Sequence, residues 1–115
     1  MTRLRLALTT ILLGTALAGP AGAATDAQEQ AIRDLGAVNG VALNCGYFEQ
    51  VKHMKHSMIV SVPKMRTLGM VYEDATDESY RNFVEQDKTC PTEHELSRRV
   101  DKAVARIKEV FAESE

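Results

Sequence analysis

The residues of this chain that could do chemistry are few and crowd into one stretch. His53-Met54-Lys55-His56-Ser57-Met58 places two imidazoles and two thioethers within six residues, and Met65 and Met70 follow. Imidazole suits Cu(II) and thioether suits Cu(I), so the run is a candidate copper-type metal site using His53, His56, Met54 and Met58. Helical spacing divides the set. Met54 and Met58 fall on one stripe with Tyr47 and Val51, whereas His53 and His56 project with Lys52 and Lys55 from a different side. The competing reading is methionines filling gaps in a small core, beside solvated histidines.

Cys45 and Cys90 are the only two cysteines, and their role depends on the compartment. The chain opens with a basic start (Arg3, Arg5), an apolar stretch from Leu6 to Ala18 and a small-residue exit, Gly19-Pro20-Ala21-Gly22-Ala23-Ala24. This is the pattern of a cleavable secretory signal, expected over 1–23 with cleavage after Ala23 or Ala24, and it implies a periplasmic protein. The apolar stretch is interrupted by Thr9, Thr10, Gly14 and Thr15 and falls short of the roughly 20 residues that cross a bilayer, so no membrane span is expected. In an oxidising compartment an even pair of cysteines in a short domain is most simply one disulfide. Neither cysteine has a second Cys or a His at the two-to-four-residue spacing of zinc sites. Closing a loop of about 46 residues contributes on the order of 4 kcal/mol in the chain-entropy picture.

With 115 residues, 44% of them apolar, 26% charged and 5% aromatic, the chain suits one globular domain and excludes disorder, collagen and repeat arrays. Removing Arg3 and Arg5 from the fourteen basic residues leaves twelve against sixteen acidic ones, a formal −4 over the expected mature domain at 24–115. That balance, with no basic stripe interleaved with aromatics, argues against nucleic acid as a partner. Enzyme signatures are missing: no Ser elbow, phosphate loop, HExxH, haem attachment or CxxC pair is present, and a disulfide cysteine is not a nucleophile. Ser57 and His56 are sequence neighbours, which point about 100° apart on a helix. His94 reads as a surface residue in the first turn of a helix. The expectation is a protein that is not an enzyme and carries no cofactor.

The elements read as helices throughout. Thr25 and Gln28 have capping-box spacing, and Ala31, Leu35, Val38 and Ala42 continue at helical steps, giving a first helix over 26–43. Gly36 and Gly40, at i and i+4, predict close approach of a neighbouring helix or else a ligand notch. Asn44-Cys45-Gly46 breaks the pattern, and a second helix follows over 47–60. Pro63 opens a third, with Met65, Leu68, Tyr72 and Ala75 on its apolar side. Thr76-Asp77-Glu78 either interrupts it or rides on its solvent side, after which Tyr80, Phe83 and Val84 resume the apolar face toward Lys88. Thr92 and Glu95 form a second capping box ahead of a helix carrying Leu96, Val100, Ala103, Ile107 and Val110. The predicted fold is all-α, a small four-helix up-down-up-down bundle, which puts Cys45 and Cys90 in corners at the same end and so agrees with one disulfide closing it.

Charge is segregated along the chain. Gln50 to Met70 holds Lys52, Lys55, Lys64, Arg66 and two histidines with no acid, while Val71 to Glu95 holds eight acids against Arg81 and Lys88. One reading is complementary or simply solvated helix faces. The other is a pH response, because protonation turns the −4 domain strongly cationic and self-repulsion then loosens packing or separates subunits.

In layout the chain resembles the periplasmic acid-stress chaperones of the HdeA type, which are small, exported, helical and stapled by one disulfide. The matching features are Cys45 and Cys90 with 44 residues between them and the charged helix ending in Arg106-Ile107-Lys108-Glu109-Val110-Phe111. The resemblance implies a homodimer at neutral pH that dissociates in acid and exposes apolar surface to unfolded clients. The sequence thus leads to a small exported protein that binds other proteins, with stress-response chaperone activity as its most concrete form. The alternatives are the metal-binding protein centred on the second helix, and an accessory subunit or inhibitor of an exported complex.

Overall fold

A computed structural model of the protein describes residues 23–112. The export segment read at 1–23 lies outside these residues save for Ala23. Four α-helices make up the structure: α1 (Asp26–Cys45), α2 (Phe48–Ser61), α3 (Arg66–Glu85) and α4 (Glu93–Ala112). No strand occurs among the described residues.

Local chemistry sets the helix ends. Thr25 Oγ1 accepts from the Gln28 N–H while the Gln28 side chain accepts from the Thr25 N–H, so α1 starts on a complete capping box. It ends at Gly46, whose φ of 73° is open to glycine without a Cβ penalty, and the Tyr47 N–H reaches back to the Ala42 carbonyl at 3.0 Å. Thr92 and Glu95 exchange the same reciprocal pair of bonds ahead of α4. Asp87, with φ 49°, closes α3 as the Lys88 N–H bonds to the Phe83 carbonyl. Aspartate is among the few non-glycine residues that adopt this conformation readily.

α1 is the hub, packing against all three other helices, whereas α3 approaches only α1 and α2 packs on α4 and α1. α1 and α4 are antiparallel. They are joined at one end by the Cys45–Cys90 disulfide, with Cα atoms 5.7 Å apart, and at the other by the buried Gln28 side chain, whose Nε2 donates to the Val110 carbonyl at 3.0 Å. α1 and α3 run parallel, since Gly36 faces Tyr72 and Ala75, Gly40 faces Thr76 and Ser79, and Asn44 Nδ2 donates to the Tyr80 carbonyl. Ile32, Leu35, Met54, Leu68, Leu96, Val100 and Ile107 are the largest fully buried side chains.

The glycine pair works by close approach. A Cβ on Gly36 would stand 2.7 Å from the Ala75 Cβ and 2.8 Å from the Tyr72 carbonyl oxygen, and one on Gly40 would stand 2.7 Å from the Thr76 carbonyl oxygen. That closeness lets polar side chains stitch the two helices. Asn39 Nδ2 donates to Thr76 Oγ1, Thr76 Oγ1 donates to the Tyr72 carbonyl, and Ser79 Oγ donates to the Ala37 carbonyl.

Two sequence expectations for α3 are corrected by this packing. Thr76 neither interrupts the helix nor faces solvent: α3 is continuous, and Thr76 is buried against Asn39. Tyr80 and Val84 do not resume the buried face; they are exposed, and only Phe83 of that trio is buried. The reason is that α3 has a single partner. A helix packed on one neighbour buries a narrow stripe, and the glycine notch fixes that stripe on Ala75, Thr76 and Ser79.

Candidate functional site

The exposed large apolar side chains of the described residues are confined to two helices and the link between them. Phe48, Ile59 and Val60 are on α2, Met70, Tyr80 and Val84 on α3, and Met65 at the link between them; none is on α1 or α4. Their exposure runs from 37% at Met65 to 61% at Phe48 and Val60. Scattered exposed apolar residues are ordinary, but a set confined to two helices is a candidate interaction surface.

The helices position this set through their buried sides. Met54 is fully buried and Val51 and Met58 pack against the core, which ties one side of α2 inward. Tyr47 OH donates to the Pro91 carbonyl at 2.8 Å, which locks the start of α2 to the segment before α4. The opposite side, with Phe48, Lys52, Lys55 and Ile59, is exposed. On α3, Leu68, Thr76 and Phe83 are buried, and Met70, Glu73, Asp77, Tyr80 and Val84 are exposed. α2 and α3 do not approach each other, so neither helix covers the other's outward side.

The four residues of the metal reading are distributed between two environments. His53 and His56 stand exposed on the outward side of α2, Met54 is in the core, and Met58 is partly buried against it. Among the described residues no group of three or more His, Cys, Asp or Glu side chains comes together as a metal site. His94 is exposed in the first turn of α4. Cys45 and Cys90 are paired with each other.

Electrostatically, α2 presents Lys52, Lys55, His53 and His56 outward with Glu49 as its one acid. Lys52 and Glu49 lie 3.5 Å apart with both side chains largely in solvent, so the pair holds little energy and leaves Lys52 free to engage another charge. α3 presents Glu73, Asp74, Asp77 and Glu78 along its middle, with Arg66 at its start and Arg81 one turn beyond Asp77 also exposed. Tyr72 titrates abnormally: burial without a charge nearby raises its phenol from 10.0 to about 12. Its OH, Ser57 Oγ and Asn39 Oδ1 are buried without a hydrogen-bond partner among the described residues. All three belong to α1, α2 and α3, and none to α4.

At the end away from the disulfide, a cleft of about 490 Å³ opens between the start of α1, the α2–α3 link and the end of α4. Ala24, Gln28, Pro63, Leu68 and Phe111 line it. The disulfide thus staples the end of the bundle opposite this cleft, and the Gln28–Val110 hydrogen bond ties the end that carries it. No described helix is long and apolar enough to cross a membrane.

The spacing places Met54 and Met58 inward, as the structure does, but Met65, Tyr80 and Val84, which it also assigns to an apolar side, are exposed. The signal for the outward faces was present in the spacing: 48, 52, 55, 59 and 70, 73, 77, 80, 84 each advance by alternating steps of three and four, which keeps each set on one side of a helix. Comparison with family models, with curated proteins and with solved structures returned no match.

Proposed function

We propose that this is an exported, non-enzymatic protein that binds other proteins through the outward faces of α2 and α3, and that it protects unfolded clients under acid or envelope stress. The observation that carries the reading is the confinement of every exposed large apolar side chain among the described residues to α2, α3 and their link. Apolar residues interleaved with charge on two helices, over a core sealed by α1 and α4, suit reversible contact with extended or partly unfolded chains. The disulfide at one end and the cleft at the other support the acid-stress form. Self-repulsion at low pH opens the end held by the Gln28–Val110 hydrogen bond while the staple keeps the chain connected.

The test is light scattering from an aggregation-prone client, held near neutral pH or acidified to about pH 3, below the usual carboxylate range. The mature, oxidised protein is expected to suppress aggregation, and more strongly in acid. Equal aggregation with and without the protein at both pH values would contradict the reading. Replacing His53 and His56 together is expected to leave suppression intact; a stoichiometric metal lost on that replacement would favour metal handling.

A further inference from the structure

From Gln50 to Tyr72 the chain holds no acid, and within that stretch Lys52, Lys55, Lys64 and Arg66 are all exposed. α2 carries most of this run. Phe48, Lys52, Lys55, Ile59 and Val60 stand outward on it, within about 140° of arc at 3.6 residues per turn, while Met54 and Ser57 are buried on its other side. The outward face of α2 thus joins three large apolar side chains to two lysines, with Glu49 as its one acid and Lys64 just past the end of the helix. This is the composition of a helix that lies in a membrane interface. Apolar side chains enter the acyl boundary, and lysine stems run beside them with their ammonium groups at the lipid phosphates. α4 also carries exposed cations, but it has no exposed large apolar side chain to insert.

We infer that the outward face of α2 docks on an anionic phospholipid surface, with Phe48, Ile59 and Val60 at the acyl boundary and Lys52, Lys55 and Lys64 on the phosphates. The contact is peripheral, since no described helix is long and apolar enough to cross a membrane. Charge complementarity carries the choice of occupant: α2 is a local basic face on a domain whose formal balance is −4, and each cation brought to an anionic lipid surface is worth roughly fivefold in affinity. Lys52 is available for this, because its one ion pair, to Glu49, lies largely in solvent. Shape points the same way. The outer side of a single helix is convex and offers no groove to a partner's side chain, whereas a lipid surface moulds to it. The inference goes beyond the protein-binding reading and does not depend on it. Glu73, Asp74, Asp77 and Glu78 along the middle of α3 are repelled by the same lipid, which leaves Met70, Tyr80 and Val84 for contact with protein.

Flotation of the mature, oxidised protein with lipid vesicles tests the assignment. At about 50 mM salt, vesicles of phosphatidylcholine with about one third phosphatidylglycerol are expected to carry the protein, and pure phosphatidylcholine vesicles to bind it at least about tenfold more weakly. Lys52→Gln/Lys55→Gln and, separately, Phe48→Ser/Ile59→Ser are each expected to lower the partition coefficient at least about tenfold. Lys102→Gln/Lys108→Gln, which removes the same charge from α4, is expected to bind within about twofold of the unaltered protein, separating the α2 face from overall charge. All six substituted side chains are exposed, and circular dichroism with an intact disulfide confirms that each variant folds. Equal binding to the two kinds of vesicle, unimpaired binding by either α2 variant, or an equal loss from the α4 variant would overturn the inference. So would failure to float by a protein that retains soluble poly-glutamate, which would give the face to an acidic protein partner. Failure to float with aggregation still suppressed would remove the lipid contact and leave the protein-binding reading standing; flotation without suppression would do the reverse.

Discussion

The α1–α4 pair and the outward sides of α2 and α3 are built by different rules. On α4, Leu96, Val100, Ala103, Val104, Ile107, Val110 and Phe111 are all buried, the helix has a reciprocal cap, and its ends are tied to α1 by a disulfide and a buried glutamine. α3 is as long as α4, yet it buries only Leu68, Thr76 and Phe83 and leaves Met70, Tyr80 and Val84 in solvent. The difference teaches that α4 is buried along its whole apolar stripe, whereas α2 and α3, each anchored by its inward side, carry the apolar surface left in solvent, on which the proposed binding rests.

The largest expected effect lies in the α1–α4 pair. Cys45→Ser/Cys90→Ser should lower stability by about 4 kcal/mol, checked by urea denaturation of the oxidised parent against the variant. Next, Leu96→Ala should cost about 3 kcal/mol by leaving a cavity where a fully buried side chain stood. Val84→Ala, a truncation of an exposed residue, should stay within about 0.5 kcal/mol. Equal costs at the two sites would erase the contrast.

Two glycines sharpen it further. Gly40→Ala drives a Cβ to 2.7 Å from the Thr76 carbonyl oxygen, and backbone there has little room to yield. The expected net cost is about 1–2 kcal/mol after the better helix propensity of alanine is counted. Gly69, by contrast, has no atom within 4 Å of an added Cβ, so Gly69→Ala should stabilise α3 by up to about 1 kcal/mol. Thermal melts of the two variants should therefore move in opposite directions.

Much of the α1–α4 pair was legible in the sequence. The capping boxes at Thr25 and Thr92, the break at Gly46, the closely approached Gly36 and Gly40, and the Cys45–Cys90 pair each have a local chemical signature or follow from counting two cysteines. The orientation of α3 was only half legible: the stripe through Leu68, Tyr72, Ala75 and Phe83 is the inward one as its spacing suggests, but Met70, Tyr80 and Val84 form a second apolar stripe at helical spacing. Only the partner chooses between them. The notch in α1 accepts Ala75, Thr76 and Ser79, and that contact turns the second stripe outward. The continuity of α3 at Thr76 has the same origin, since the threonine hydroxyl bonds to the Tyr72 carbonyl within its own helix and accepts from Asn39 across the interface.

One expected effect appears only in alkali, as a pH dependence at Tyr72. Burial holds its phenol neutral up to about pH 12, against 10.0 for the unperturbed group. The folded state therefore keeps a proton that the unfolded chain has begun to release. The contribution is fully present below pH 10 and is lost as pH rises from 10 toward 12. Tyr72→Phe should remove that decline from the stability profile, read by urea midpoints across this range.

The proposed binding surface on α2 and α3 is tested most directly by site-specific photo-crosslinking. A photoreactive side chain is placed at Ile59 on α2, at Val84 on α3 and at Lys102 on α4, all exposed positions, and the purified protein is illuminated alone and with an acid-unfolded client. Adducts to the client are expected from Ile59 and Val84, with little from Lys102. Adducts formed equally from Lys102, or from Lys102 alone, would contradict the proposed surface.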